Sequence, residues 1–160
     1  MISVFIICVG KNKEKYYDEA FREYVKRLSP LCTVKLLEVP EYRLPERPGA
    51  KEIEKALACE AESIRKVSEK GTKIITLCIE GKALSSSEFA GVLNDSMISG
   101  NSAFTFVIGG SYGLSESIKE RADLKLSMSS MTFPHHLARI MLIEQIYRAF
   151  QILEGSRYHK

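Results

Sequence analysis

The amino-acid sequence predicts one α/β domain over residues 1–160, in which helices flank a mostly parallel β-sheet. Short apolar segments rich in β-branched residues alternate with segments of helical periodicity along the whole chain. The third and fourth apolar segments, KIITLCI and AFTFVI, are apolar on both faces, as strands covered by helices on both sides are. A chain of 160 residues is long enough to bury a core, and no internal repeat indicates a second domain.

Each strand is predicted from an apolar run between turn-forming residues. These runs are residues 3–9, 33–39, 73–79, 103–108 and 124–128. Helices are predicted where apolar residues recur at spacings of three and four. These segments are residues 13–28, 50–69, 85–97, 115–121 and 134–153.

Local signals mark several boundaries of these elements. Gly71 ends the second helix, Ser85 and Glu88 have the spacing of a capping box, and Pro134 occupies the first turn of the last helix. Residues 40–49 contain three prolines and no apolar periodicity, which predicts a loop.

The last helix is apolar over most of its circumference, whereas a surface helix needs an apolar stripe on one side only. Its polar residues between positions 137 and 153 are Arg139, Glu144, Gln145, Arg148 and Gln151. Two interpretations are open here. The helix lies in the centre of its own domain, or it packs on its own sheet and, through another face, on a second subunit.

Composition and charge restrict the class of protein. The net charge of +3, from 23 basic and 20 acidic residues, permits nucleic-acid binding without demonstrating it. No apolar stretch is long enough to cross a membrane, and MISVFIICV lacks the preceding basic residues of a secretory signal. We therefore expect a cytoplasmic protein with no membrane association. The four cysteines show no CxxC spacing, so neither a zinc site nor a redox pair is predicted.

A glycine-rich segment, GGSYG at residues 109–113, directly follows the fourth strand. Ligands bind at the carboxyl ends of parallel strands, and glycines let the main chain approach a ligand closely. The segment matches neither the GxGxxG dinucleotide motif nor the GxxxxGK[ST] phosphate loop. A tight strand-to-helix turn is the alternative explanation.

Residues 127–136, SMSSMTFPHH, form a small polar segment before the last helix. Such a loop can surround an adenine with backbone amides and carbonyls, with Met128, Met131 and Phe133 as apolar walls. A capped helix start is the alternative. His135 and His136 are adjacent and would point about 100° apart on a helix, so they cannot easily chelate one metal ion. No metal site is predicted.

Further candidates lie in the last helix and at the end of the chain. Glu144 and Arg148 have the spacing and order of an intrahelical ion pair, which explains them without a catalytic role. The terminal SRYHK combines an aromatic ring, an imidazole and two cations, which can stack on a base, transfer a proton and neutralise phosphate. A terminus without function is the alternative.

Taken together, these segments resemble the bacterial ribosomal RNA large-subunit methyltransferase H family. IGGSYGLS, LSMSSMTFPHHLARIMLIEQIYRAFQI and the terminal YHK carry the resemblance, with VGK after the first strand and TLCIEGK. It covers essentially the whole chain. Family members are SPOUT-superfamily enzymes that use S-adenosylmethionine to methylate N3 of a pseudouridine in 23S ribosomal RNA.

The resemblance implies a C-terminal deep trefoil knot, one of the rare exceptions to unknotted topology. It also implies a homodimer packed through the knotted region, which would account for the apolar last helix. The methyl donor is expected in the knot. The positions implied for donor binding are Leu77, Gly109, Met128, Ser129, Ser130, Met131, Thr132 and Phe133.

The implied reaction is methyl transfer to a ring nitrogen whose proton must leave, with no covalent nucleophile. Glu144, His159 and His135 are the candidates for the proton acceptor or orienting groups, and the choice among them is open. Tyr158 is expected to stack on the target base. Arg148, Arg157 and Lys160 are expected to hold phosphate.

The expected substrate is 23S ribosomal RNA within the large subunit or the 70S ribosome, because the chain's charge is modest and an additional RNA-binding domain is not indicated. Two other functions are weighed against this one. A non-catalytic ribosome-binding factor predicts a damaged donor site, whereas the glycines and residues 128–133 are intact. A small-molecule enzyme on a flavodoxin-like sheet predicts a monomer whose last helix has a single apolar face.

Overall fold

The computed structural model describes residues 1–155 of the chain. Four residues predicted to act in the site, Arg157, Tyr158, His159 and Lys160, lie outside the described residues, so their roles stay predictions.

Five parallel strands form one sheet in the order β2-β1-β4-β3-β5, which confirms the predicted parallel sheet. Strand β4 occupies the centre, and β3 lies between β4 and β5, as the apolar sequences of both strands predict. All five carboxyl ends therefore lie at the same edge of the sheet. The strands are β1 (Ile2–Val9), β2 (Cys32–Val39), β3 (Lys73–Ala83), β4 (Ala103–Ile108) and β5 (Leu124–Ser127).

Helices cover both faces of the sheet and complete a three-layer α/β architecture. One face packs against α1, α3 and α5, and the other against α2 and α4. Among residues 1–155, none of these helices has the length and apolarity that crossing a membrane requires. The helices are α1 (Lys15–Leu28), α2 (Ala50–Val67), α3 (Ser86–Ile98), α4 (Glu116–Glu120) and α5 (His135–Leu153).

Strand β3 continues beyond its predicted end at residue 79. Its pairing with β5 stops after Leu77 and resumes at Lys82, so the residues between them leave the regular register. At Gly81 an added Cβ would lie 2.7 Å from the Lys125 carbonyl carbon, which shows how closely the two backbones approach. The polar EGK sequence indicated the end of the strand, but the chain rejoins the sheet after this bulge.

The signals at the helix starts are confirmed. The Glu88 N–H donates to Ser85 Oγ at 3.1 Å, and the Ser85 N–H donates to the Glu88 carboxylate at 2.7 Å. Helix α5 begins at His135, directly after Pro134. The proline-rich segment 40–49 is a loop up to the start of α2 at Ala50.

Helix α5 packs between α1 and α3 and lies against the sheet. Leu142, Ile143 and Ile146 are completely buried, and of the helix residues only Leu153 is exposed. Neighbouring elements of the same chain therefore cover most of its apolar surface, as the first interpretation predicts. The contact with a second subunit stays a prediction.

Candidate functional site

A cavity of about 770 Å³ opens at the carboxyl ends of β3 and β4. Its walls come from the bulged part of β3, the glycine-rich turn after β4, and the segment between β5 and α5. This is the edge at which open α/β sheets bind ligands, and the volume lies in the range of small-molecule sites. The bulge in β3 contributes directly, because the residues that leave the sheet register after Leu77 face this space.

Nearly all positions implied for donor binding meet at this cavity. Ser130 belongs to the same loop but does not line the wall. His135, at the start of α5, also lines the cavity. The predicted residues on the wall are Leu77, Gly109, Met128, Ser129, Met131, Thr132 and Phe133.

The glycine-rich turn is both a tight turn and a cavity wall. The Gly113 N–H donates to the Gly110 carbonyl at 3.0 Å, and Gly113 has a φ of +79°, which favours glycine. A Cβ added at Gly109 would clash with the Gly113 carbonyl oxygen. Any side chain at position 109 would therefore displace the turn itself.

The loop before α5 is organised by its own serines. The Ser127 hydroxyl donates to the Ser129 carbonyl at 3.1 Å, and the Met131 N–H donates to Ser129 Oγ at 3.0 Å. These bonds fold residues 127–131 into a compact turn in which Met128 and Ser129 line the cavity.

The ion pair of Lys119 and Glu80 and the thiol of Cys78 also lie on the cavity wall. None of these groups was predicted as a site residue. Lys119 donates from Nζ to the Glu80 carboxylate. This hydrogen bond lowers the pKa of Glu80 and raises the pKa of Lys119, so both groups are charged at neutral pH. Burial raises the pKa of the Cys78 thiol, which keeps it protonated and unreactive.

Arg139 anchors the start of α5 to the carboxyl ends of β1 and β2. Its side chain is buried, with Nη1 donating to Glu38 Oε2 at 2.7 Å and Nη2 donating to the Gly10 carbonyl at 2.6 Å. Burial acts to raise the pKa of Glu38, but hydrogen bonds from Arg139 and the Asn12 N–H lower it overall. These partners lie 101 and 129 residues from Arg139, so local spacing in the sequence does not reveal them.

The two histidines at the start of α5 contact each other through their Nε2 atoms, which are 3.1 Å apart. Burial and the guanidinium of Arg139 lower the pKa of His135. The Glu41 carboxylate acts in the opposite direction, but the net shift is downward. Burial, His135 and Arg139 lower the pKa of His136. Both imidazoles are therefore neutral at pH 7. Within residues 1–155 no group of three or more His, Cys, Asp or Glu could hold a metal ion.

Glu144 lines a second cavity, of about 470 Å³, which is bordered by α1, α3 and α5. The predicted ion pair is present, with Arg148 Nη2 donating to Glu144 Oε1 at 2.6 Å. Gln145 donates to Glu144 Oε2 at 2.9 Å, and the Ser86 hydroxyl donates to Gln145. Met128 lines both cavities, whereas Glu144 and His135 face different ones.

Comparison with known proteins agrees with this geometry. The family model described as "Predicted SPOUT methyltransferase" matches residues 2–159. The chain belongs to the SPOUT methyltransferase family. A Methanococcus maripaludis (strain C5 / ATCC BAA-1333) protein provisionally named ribosomal RNA large subunit methyltransferase H is 49% identical over 99% of this chain and 100% of its own length. The ribosomal RNA large subunit methyltransferase H of Desulforamulus reducens (strain ATCC BAA-1160 / DSM 100696 / MI-1) is 46% identical over 100% of both chains.

Solved structures share the fold of this SPOUT methyltransferase at low sequence identity. A protein from Haemophilus influenzae Rd KW20, assigned to a methylase family, aligns with a TM-score of 0.53 at 13% identity over 98% of this chain and 70% of its own. A structure concerned with 2-OH methylation of C/U34 on tRNA aligns with a TM-score of 0.51 at 12% identity over 96% and 98% of the two chains. These similarities support the fold. Because the chain belongs to the SPOUT methyltransferase family, the alternative of a small-molecule enzyme on a flavodoxin-like sheet is set aside.

Exposed apolar side chains border the main cavity of this SPOUT methyltransferase. Ile79, Tyr112 and Met131 line it and are 55%, 49% and 73% exposed. They are three of the seven large hydrophobic residues exposed among residues 1–155. A concentration of such residues around one opening indicates a surface that contacts a ligand. The GGSYG motif contained Tyr112, but its spacing did not show that the ring borders the opening.

The remaining cysteines, Cys8, Cys32 and Cys59, do not line the main cavity. Burial raises the pKa of Cys8 to about 12 and that of Cys32 to about 11, so both are protonated at neutral pH. Cys59 is exposed on α2, on the opposite sheet face from α5. Cys8 and Cys78 are buried and unpaired with another cysteine, so they pack as small apolar groups.

Proposed function

We propose that this chain transfers a methyl group from S-adenosylmethionine to N3 of a pseudouridine in 23S ribosomal RNA. The observation that carries the proposal is that Leu77, Gly109 and five of the residues 128–133, far apart in sequence, border one cavity. The names of the two relatives support ribosomal RNA of the large subunit as the substrate class. The pseudouridine and its N3 follow from the resemblance of the motifs.

The cavity has the composition that the donor requires. Leu77, Met128 and Phe133 offer apolar surface to an adenine, and the glycine-rich turn brings main-chain groups to the same space. When bound, S-adenosylmethionine supplies a methyl group that its sulfonium already activates. The chain therefore has to hold donor and acceptor in line and remove one proton.

His135 is the group that takes this proton. It lines the donor cavity, and burial keeps its imidazole neutral at pH 7, which is the form that accepts a proton. One ring nitrogen faces His136, and the other takes the proton that leaves N3. Glu144 is less suited within its own subunit, because it faces the second cavity and both its oxygens accept hydrogen bonds.

The active enzyme is a homodimer packed through a C-terminal trefoil knot. Glu144 and Arg148 then act on RNA bound at the partner's donor cavity, where Glu144 orients the acceptor and Arg148 binds phosphate. The tail completes the substrate side, with Tyr158 on the target base, His159 beside it, and Arg157 and Lys160 on the backbone. No metal takes part.

The substrate is the 70S ribosome in the cytoplasm. Affinity for free RNA depends on the number of phosphates that Lys and Arg neutralise, and a net charge of +3 supports few such contacts. The shape of the assembled ribosome supplies the remaining recognition.

Calorimetric titration with S-adenosylmethionine tests the donor site. The wild-type chain is expected to bind it, and Gly109→Arg is expected to abolish binding without changing the oligomeric state measured by light scattering. Absence of binding to the wild-type chain would overturn the proposal. Donor binding without methyl transfer to ribosomes would favour a ribosome-binding factor that keeps the fold.

A further inference from the structure

The loop between β2 and α2, which the sequence analysis treated only as a connection, brings a carboxylate to the donor cavity. The Ser111 hydroxyl donates to Glu41 Oε1 at 3.1 Å, and the Ser111 N–H donates to the same oxygen at 3.4 Å. Ser111 belongs to the glycine-rich turn and lines the cavity. Glu41 therefore holds this wall from a segment 70 residues away in sequence.

The positions of two glycines locate this carboxylate, and Gly110 leaves the space that it occupies. A Cβ added at Gly110 would lie 3.0 Å from Glu41 Oε1 and 3.2 Å from Val9 Cγ1, which is tighter than ordinary contact. A Cβ added at Gly10 would lie 3.6 Å from both Glu41 Oε2 and His135 Nε2. The Glu41 carboxylate thus lies between the glycine-rich turn and the first residue of α5.

The charges around His135 make this position chemically significant. The Glu41 carboxylate favours the protonated imidazole, whereas burial and the guanidinium of Arg139 disfavour it. His136 contacts the ring directly, and Glu38 lies beyond it as the partner of Arg139. Glu38 pairs with Arg139, whereas the Glu41 carboxylate acts on the His135 imidazole.

We propose that Glu41 is a positioning residue of the methyl transfer. Through Ser111 it fixes the glycine-rich wall of the donor cavity, and through its charge it makes His135 a stronger proton acceptor. This inference rests on the proposed function, because it concerns the same cavity and the same imidazole. It gives the proline-rich loop a role in catalysis, although Glu41 does not itself line the cavity.

The first test is a double-mutant cycle on donor affinity. Glu41→Ala removes the acceptor of the Ser111 bonds, and Ser111→Ala removes the hydroxyl donor. Each is expected to raise the donor Kd about three- to tenfold, the effect of one exposed charge-assisted hydrogen bond. The double variant is expected to resemble the more affected single variant. If the two single effects on the donor Kd multiply in the double variant, or if the Kd is unchanged in Glu41→Ala, the proposed positioning of the turn is overturned.

The second test follows the charge alone. Glu41→Gln keeps the size of the side chain, removes its charge, and is expected to lower the pKa of His135 in an NMR titration. The acidic limb of the pH–kcat profile should move with it to lower pH. Glu46→Gln, at an exposed position of the same loop, is the matched control and should leave both unchanged. An unchanged His135 titration in Glu41→Gln would overturn the electrostatic role.

These measurements separate this inference from the proposed function. Failure of the wild-type chain to bind donor would overturn the proposed function, yet the NMR titration would still decide whether Glu41 acts on His135. Donor binding with coupled Kd effects and no methyl transfer would support the positioning of the turn while contradicting the enzymatic activity.

Discussion

His135 and Glu144 lie on the same helix, α5, yet line different cavities, with Met128 as the residue common to both. A chain that used both groups at one acceptor would need a second copy of α5 near the donor cavity. This relationship connects the proposed homodimer to the proposed chemistry, in which one subunit would offer His135 and its partner Glu144.

Mixed dimers test this arrangement. Glu144→Gln and His135→Ala are each expected to be inactive alone, whereas co-expressed chains should recover about a quarter of wild-type activity, because half of the dimers are mixed and each has one intact site. Activity is measured on purified mixtures by methyl transfer to ribosomes. No recovery, in a mixture shown by mass spectrometry to contain mixed dimers, would place Glu144 in the same subunit's site.

Gly109 is expected to tolerate no side chain. Because a Cβ there would clash with the Gly113 carbonyl, Gly109→Ala should distort the turn and raise the donor Kd by at least about tenfold, a cost of 1.4 kcal/mol or more. Gly91→Ala is the matched control, since an added Cβ on α3 meets nothing within 4 Å. That variant should bind donor normally and be stabilised by about 0.5–1 kcal/mol. Normal donor affinity in Gly109→Ala would contradict the turn geometry.

The ion pair between the buried Arg139 and the partly exposed Glu38 is expected to stabilise the fold in a pH-dependent way. Arg139→Met leaves the Glu38 carboxylate and the Gly10 carbonyl without their guanidinium donor and should cost about 1–3 kcal/mol at pH 7, measured by urea unfolding. Because the pKa of Glu38 is lowered from 4.5 in the folded protein, this contribution is present above that pH. It is lost as the pH falls through the folded value.

The difference in the free energy of unfolding between wild type and Arg139→Met should therefore shrink below about pH 4.5. A difference that is the same in acid and at neutral pH would assign the loss to packing rather than to the charge of Glu38.

Tyr112 is expected to contact RNA at the apolar border of the cavity. Stacking of a base on an aromatic ring is worth about 1–3 kcal/mol, so Tyr112→Ala should raise the KM for ribosomes about tenfold, more than it raises the donor Kd. Tyr112→Phe keeps the ring and should behave as wild type. Tyr16→Ala, at an exposed tyrosine on α1, is the control. An unchanged KM in Tyr112→Ala would show that the apolar border of the cavity contacts something other than RNA.

The C-terminal tail is expected to act on the substrate and not on the donor. Deleting residues 158–160 should leave the donor Kd within about twofold while lowering kcat about a hundredfold, the typical effect of losing a proton-transfer or orienting group. Calorimetry and methyl transfer to ribosomes measure the two quantities. Unchanged turnover would remove the tail from the mechanism.

Features set by neighbouring residues were predictable from the sequence. Ser85 and Glu88 marked a helix start because a capping box involves residues three apart, and the pair of Glu144 and Arg148 followed from spacing on one helix. The parallel sheet followed from apolar runs alternating with helical segments. A ligand site after β4 was expected because ligands bind at the carboxyl ends of parallel strands, and a cavity lies there.

Features set by distant residues were not predictable in this way. Glu41 and Ser111 are 70 residues apart in sequence, and Arg139 and Glu38 are 101 apart. The periodicity of the sequence indicates neither contact. The bulge in β3 was missed because EGK has the composition of a strand end, although the backbone rejoins β5 at Lys82. The apolar pattern of α5 left open whether its own domain or a second subunit covers the helix, and α1 and α3 cover much of it.

Transfer of tritium from labelled S-adenosylmethionine to 70S ribosomes tests the central claim most directly. The ribosomes come from a strain that lacks the modification, and free 23S ribosomal RNA is the parallel substrate. We predict label on large-subunit RNA of intact ribosomes, in N3-methylpseudouridine after digestion, and little on free RNA. Absence of label from both substrates, with donor binding confirmed by calorimetry, would contradict the assignment as a ribosomal RNA methyltransferase.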